Sequence, residues 1–264
     1  MLIPISDATD PRVDFYRDLK RSRSAESEWL IVEGKLSVAR GIECGWNIES
    51  ILTDQRCVDE IATDVIESVP VYVAPRAIMN GIVGFEFHRN QLACVQRQEL
   101  PKLGKITGGG DSSIVVVCPE IADPTNLAGI IRNAAALGAD GILLGPSGAD
   151  PFSRRSIRVS VGNVFRIPIR RAKDLEFELG QLRQEHGFET VATVLDPKAE
   201  TLPGFRPKPR TAILLGSEGE GLSDHWIRFS DRCVTLPMKR EADSLNVAAA
   251  SGIFLYHLAD QRER

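Results

Sequence analysis

Short apolar runs separated by longer mixed stretches recur from Trp29 to the C-terminal region, the pattern of strands alternating with helices. In the N-terminal part, Trp29 to Val32, IESILTD (48–54), VYVA (71–74) and QLACVQ (91–96) read as strands. Helices are expected over about 11–24, from Gly34 onward, over CVDEIATDVIESV (57–69) and over PRAIMNGI (75–82). The same alternation returns more strongly after residue 112. SIVVVC (113–118) is apolar from Ile114 onward, as a strand covered on both faces of a parallel sheet should be. Asp123 followed by Pro124 is a helix start, an N-cap acceptor ahead of a proline at the first helical position. Leu127, Ile130 or Ile131, Ala134 and Leu137 or Gly138 then form one apolar stripe.

Further strands are expected at GILLG (141–145), FRIPI (165–169), ETVATVL (189–195), TAILLG (211–216) and CVTLP (233–237), with helices around 153–161, 174–186 and 222–229. A closing helix from about Ser244 to Asp260 is apolar on nearly all sides of its first turns, so it must be buried in its own domain or against a partner. GKITGGGDSS (104–113) interrupts the pattern with three consecutive glycines, and a joint is expected there. The expected organisation is a smaller N-terminal α/β domain (1–105), a linker (106–112) and a C-terminal α/β domain (113–264).

Composition narrows the function classes. At 264 residues, 43% hydrophobic and 26% charged, the chain is that of an ordinary globular protein. A formal net charge of −4 argues against coating nucleic acid through overall basicity, yet two local basic runs stand out. They are Arg12, Arg17, Lys20, Arg21 and Arg23, and the stretch Arg154, Arg155, Arg158, Arg166, Arg170, Arg171 and Lys173, which contains no acidic residue. A solvated surface face is the simplest account of either run. No apolar window matches a membrane span and no basic-then-apolar leader opens the sequence, so no membrane association and a cytoplasmic location are expected. Five scattered cysteines without a CxxC pair and four histidines without ligand spacing suggest neither a disulfide framework nor a metal site.

GSEGEG (216–221) follows an expected strand and precedes an expected helix, where glycines let a ligand approach backbone amides. Its GxxGxG spacing is not the GxGxxG dinucleotide fingerprint, which counts against a nicotinamide-dependent oxidoreductase. GPSG (145–148) breaks the nucleophile-elbow pattern, and no phosphate loop of the GxxxxGK[ST] type occurs. In isolation Asn126 reads as support for a helix start, Ser244 as an N-cap and Glu218 as a cap for the helix near Leu222.

Taken together, DPTNLAGIIRNAAALGADGILLG (123–145), SVGNVFRIPI (160–169), ILLGSEGEGLS (213–223) and LPMKREADSLNVAAASGIFLYHL (236–258) resemble, in order and separation, the SpoU (TrmH-type) RNA ribose 2′-O-methyltransferases of the SPOUT superfamily. The resemblance runs from Ser113 to the C-terminus. PRVDFYRDLKRSRSAESEWLIVEGKLSVARGI (11–42) is similar to the N-terminal substrate-binding module that many members carry. The resemblance implies a trefoil-knotted α/β domain, S-adenosyl-L-methionine as cofactor, and RNA as substrate, with rRNA ahead of tRNA. It carries Asn126, Arg132, Glu218, Ser244 and Asn246 over as catalytic residues, and Thr193, Leu215, Gly216, Gly221, Leu236, Met238 and Leu245 as the cofactor pocket. With RNA as partner, Arg17, Lys20, Arg21, Arg23, Arg154, Arg155 and Arg158 become candidate RNA contacts. Arg132 is expected to grip a phosphate, since a guanidinium is a poor base. The closing helix is expected to build a homodimer that brings Arg132 of one chain to the cofactor of the other. The third motif departs from the family's usual IPMxGxxxSLNVS at Arg240 and Ala248. A scaffold that binds RNA without catalysis, and a tRNA-directed enzyme, remain the alternatives.

Overall fold

A computed structural model describes residues 1–19, 27–239 and 244–263. In chain order the first elements are β1 (Leu2–Pro4), β2 (Trp29–Glu33), α1 (Lys35–Glu43), β3 (Ile48–Asp54), α2 (Thr63–Ser68), β4 (Val71–Ala74), α3 (Arg76–Val83) and β5 (Gln91–Gln96). They are followed by β6 (Ser113–Cys118), α4 (Pro124–Ala136), β7 (Gly141–Leu144), α5 (Arg154–Val159), β8 (Ile169–Arg171), α6 (Leu175–Gln184), β9 (Glu189–Val194), β10 (Glu200–Thr201), β11 (Arg210–Leu214), α7 (Asp224–Phe229), β12 (Arg232–Thr235) and α8 (Val247–Glu263). Among the described residues no helix is long and apolar enough to cross a membrane.

The chain forms two compact units that interleave in sequence. One comprises Met1–Glu99 with Phe152–Arg166, the other Leu100–Pro151 with Ile167–Arg264. The glycine-rich stretch at 108–110 thus belongs to the second unit, whereas α5 packs on β2 in the first.

The first unit is built on a mixed sheet of order β1-β4-β3-β5-β2, in which β5 runs antiparallel to both its neighbours. Of the helix expected over about 11–24, the described residues, up to Leu19, form only a 3-10 turn over Pro11–Tyr16, and the backbone is extended at Arg17. Tyr16 explains the change. Its side chain is fully buried, its hydroxyl hydrogen-bonds Ser50 O at 2.9 Å, and it accepts from Cys94 N at 3.2 Å, so the chain must turn inward there. Lys20, Arg21 and Arg23 lie outside the described residues.

The second unit is a seven-stranded, wholly parallel sheet of order β10-β12-β9-β11-β6-β7-β8. Every residue of β6 is buried, as its apolar run from Ile114 to Cys118 requires. The strand expected at FRIPI starts later, at Ile169. Val161 (φ 55°) and Gly162 (φ 74°) end α5, a 3-10 turn buries Val164 and Phe165, and Pro168 has no N–H to give a ladder.

The helix α8 begins at Val247 and packs along α4. A side chain at Gly129 would put its Cβ 2.6 Å from the Ala248 Cβ, so two small residues are needed at the crossing. Asn133 Nδ2 locks the pair by donating to Ala248 O at 2.6 Å and Ser251 Oγ at 2.9 Å. Phe254, Leu255 and Leu258 are buried by this packing, while Ile253 and Tyr256 remain exposed.

Candidate active site

Ligands of open parallel sheets bind beyond the carboxyl ends of the strands. Here the adjacent strands β12, β9 and β11 deliver Leu236 and Met238, Thr193 to Leu195, and Gly216 to Gly221 to one cavity of about 470 Å³. Ser244, Leu245, Asn246, Val247, Ala250 and Phe254 close it from the start of α8. The pocket residues expected from sequence therefore converge, apart from Leu215, which is buried in the sheet and donates its N–H to Val117 O.

The loop after β11 owes its shape to glycine. A Cβ on Gly216 would fall 2.2 Å from the carbonyl carbon of Gly221, so nothing larger fits. Gly219 and Gly221 have φ of 87° and 70°, and Ser217 and Gly221 exchange backbone hydrogen bonds at 3.0 and 3.1 Å across the turn. Thr193 Oγ1 donates to Leu214 O at 2.8 Å, tying the ends of β9 and β11 together.

A second, smaller cavity of about 200 Å³ shares Ser217, Glu218 and Val247 with the first and adds Ile121, Ala122, Asp123 and Asn126. Asn126, Glu218 and Asn246, far apart in sequence, meet here. Asp123 caps α4 by accepting from Asn126 N at 3.1 Å, which fixes Asn126 on the first turn of the helix. Asn246 is the hub. Its Oδ1 accepts from Ala248 N at 2.9 Å and Ala249 N at 3.3 Å, capping α8, so its Nδ2 must face the other way. That nitrogen donates to Asn126 Oδ1 at 2.9 Å and to Glu218 Oε1. The cap of α8 is thus Asn246, whereas in isolation the sequence points to Ser244. Ser244 is exposed on the cavity wall.

Arg132 is not part of this gathering. It is exposed on α4 and lines neither cavity. Ala248, one of the two departures from the usual motif, faces Gly129 and not the cavity; Arg240, the other, lies outside the described residues. Burial pushes the Cys118 thiol, at the end of β6, up to about 12, so it stays protonated and is no nucleophile.

Of the candidate RNA contacts, Arg17 spends its guanidinium on its own chain, donating to Asp14 Oδ1 at 2.6 Å, Asp10 O at 2.8 Å and Ala8 O. Arg154, Arg155 and Arg158 share α5, with Arg155 the most open to solvent. Glu33 and Arg89, which flank these arginines, were not singled out from sequence; a lone glutamate at a strand end and one arginine in a loop give no spacing signal.

Residues 113–256, more than half of the chain, match the SpoU rRNA Methylase family. An uncharacterized tRNA/rRNA methyltransferase of Mycobacterium bovis is 34% identical over 96% of this chain and 90% of its own length. The 23S rRNA (guanosine(2553)-2′-O)-methyltransferase RlmP of Bacillus subtilis is 27% identical over 96% of this chain and 98% of its own. Among solved structures, an AdoMet-bound rRNA methyltransferase from Sinorhizobium meliloti superposes with a TM-score of 0.79 at 27% identity, covering 97% of both chains. The match over β6 to α8, which includes every element lining the two cavities, makes this chain a member of the SpoU rRNA methylase family.

Proposed function

We propose that this chain transfers a methyl group from S-adenosylmethionine to a ribose 2′-hydroxyl of ribosomal RNA. The observation that carries the reading is the Asn126–Asn246–Glu218 network, set where a cofactor-sized cavity meets a smaller one. The larger cavity fits S-adenosylmethionine on its own chemistry. Leu236, Met238, Leu245, Val247 and Phe254 offer apolar walls for an adenine ring, and the glycine turn exposes backbone groups for its polar edges. The cofactor supplies a methyl group already activated on a sulfonium.

The protein's own share is to bind, orient and exclude water. Gly216 to Gly221 and the start of α8 enclose the larger cavity. Asn126 and Glu218 border the smaller one, where the ribose is to lie, and Asn246 holds both in place through one amide group. Glu218 presents its remaining carboxylate oxygen to the ribose hydroxyl and so aims the 2′ oxygen. Ser244 adds a hydroxyl on the cavity wall. Arg132 grips the phosphate next to the target ribose with its guanidinium. Because it lines neither cavity of its own chain, it acts at the site of a second copy in a homodimer. The exposed Ile253 and Tyr256 of α8, with Leu245 at its start, supply the apolar face for that dimer.

The arrangement of the C-terminal part is a trefoil knot. Support comes from β11 lying between β9 and β6, β12 passing beyond β9, and α8 returning to α4. Arg154, Arg155 and Arg158 serve as RNA contacts, and the enzyme works in the cytoplasm.

The experiment is methyl transfer from tritiated S-adenosylmethionine to 23S rRNA transcripts, with the product located by the resistance of a 2′-O-methylated linkage to alkali. Arg132→Ala is expected to lose activity and keep cofactor affinity, and mixing it with a Gly216 variant restores activity through hybrid dimers. Absence of cofactor binding by the wild type would overturn the reading; near-normal turnover of Arg132→Ala at saturating RNA would overturn the role of Arg132.

A further inference from the structure

The first unit holds a buried carboxylate, Glu33, that the methyl-transfer reading does not use. Glu33, at the end of β2, is only 5% exposed, yet its Oε2 has no hydrogen-bond partner among the described residues. Three guanidiniums stand around it. Arg89 Nε lies 3.4 Å from Oε1, while Arg154 Nε and Arg158 Nη1 lie 3.9 and 3.8 Å from Oε2. Arg154 also sits 5.5 Å over the Phe85 ring, and its Nη1 is buried without a partner among the described residues.

An ion pair built for rigidity closes into short bidentate bonds. This chain makes such pairs elsewhere, as where Arg170 meets the carboxylate of Glu178 at 2.6 and 2.8 Å. Around Glu33 none of the three pairs closes in this way, so among the described residues none of these arginines commits its fork of N–H donors to the carboxylate. One carboxylate against three guanidiniums leaves two positive charges in excess on a patch whose arginines are partly exposed. Without a central anion these cations would repel and splay. The position of Glu33 is fixed by β2, which pairs with β5 along its whole length, and by Gly34, whose φ of 93° turns the chain directly after it. Arg154 and Arg158 come from one face of α5, spaced a helical turn apart.

We propose that Glu33 is a positioning residue that holds Arg89, Arg154 and Arg158 as a preformed grip for one phosphate of the substrate RNA. The inference rests on the RNA-directed reading above and extends it to two residues outside the basic run. A bare surface-charge account predicts the opposite effect of removing Glu33, because losing a negative charge should tighten RNA binding.

The test uses the full chain and a short fluorescein-labelled RNA hairpin, with affinity followed by fluorescence polarisation across a KCl series. Glu33→Gln is expected to weaken binding by about threefold to tenfold, within the usual range for coupled contacts. Arg89→Ala and Arg158→Ala are each expected to weaken it and to lower the slope of log affinity on log salt by about one. In methyl transfer to 23S rRNA transcripts, Glu33→Gln should raise KM for RNA and leave kcat and cofactor affinity unchanged, which a general loss of structure would not do. Glu33→Gln binding as tightly as the wild type, or more tightly, overturns the proposal. So does Arg89→Ala with unaltered affinity and salt slope, which decides the matter even where Glu33→Gln does not fold. A wild type that neither binds the hairpin nor methylates 23S rRNA would overturn the RNA-directed reading itself, a result distinct from unaffected variants of an active wild type.

Discussion

Replacing Asn246 separates two tasks that one amide performs. Asn246→Ala removes the cap of α8, at a cost of about 1 kcal/mol, and leaves the buried oxygen of Asn126 unpaired at about another 1 kcal/mol. The sum of about 2 kcal/mol corresponds to a fall in melting temperature of about 4–8 °C for a unit of this size. Asn246→Asp behaves differently. Aspartate caps a helix as well as asparagine does, so the first loss is avoided and the fall should be about half as large. Its carboxylate, however, donates to neither Asn126 nor Glu218 and places a negative charge against that of Glu218. Both variants should therefore lose at least about tenfold in kcat, equivalent to ~1.4 kcal/mol of transition-state stabilisation. Thermal unfolding and tritiated methyl transfer at saturating RNA and cofactor provide the two readouts. An Asn246→Asp enzyme with wild-type turnover would refute the idea that Asn246 acts by donating to Glu218 and Asn126. Equal melting temperatures for the wild type and Asn246→Ala would refute the capping role.

Two more outcomes follow from geometry. Gly216→Ala should abolish S-adenosylmethionine binding in calorimetry, since the added Cβ lies 2.2 Å from backbone, while Gly219→Ala meets no atom within 4 Å and costs only about 1 kcal/mol of left-handed strain; equal cofactor affinity in the two would contradict the account of the turn. At pH 8, Ellman's reagent should label exposed Cys44 in the native protein and spare Cys118, whose thiol stands near 12, until denaturant is added; rapid native labelling of Cys118 would show that the end of β6 is open.

Local signals carried much of the fold into the sequence. β3, β4, β5 and β6 begin and end where their apolar runs do, and Asp123–Pro124 opens α4 as its capping chemistry demands. The misreadings arise where tertiary contacts decide. Tyr16 leaves a helical path because Ser50 and Cys94 satisfy its hydroxyl in the core, and Ile169 starts a strand late because Pro168 cannot join the ladder. At the site, Asn126, Glu218 and Asn246 were legible only through the motif resemblance, since nothing in their separation places them within hydrogen-bond reach. That Asn246 and not Ser244 caps α8 depends on the direction of one side chain, which a cap-preferring residue two positions earlier conceals. The pairing of α5 with β2 joins residues more than a hundred positions apart, so the burial of Glu33 beside Arg154 left no local trace.

The cavity at the ends of β9, β11 and β12 also has a timetable. Its walls are made in the order Thr193, Gly216, Leu236 and finally Asn246 to Phe254. At a translation rate of about 5–20 residues per second, about 3–12 s separate the first of these from the last. Once β12 has been made, all the strands are available to pair, yet the hub amide that joins Asn126 to Glu218 is not synthesised until residue 246 is added. A nascent chain stalled before Asn246 therefore carries every strand of the sheet and none of the assembled site. On the proposed reading, cofactor capture becomes possible only once the last helix has emerged and docked on α4, so binding competence would mark a chain read through at least to Phe254.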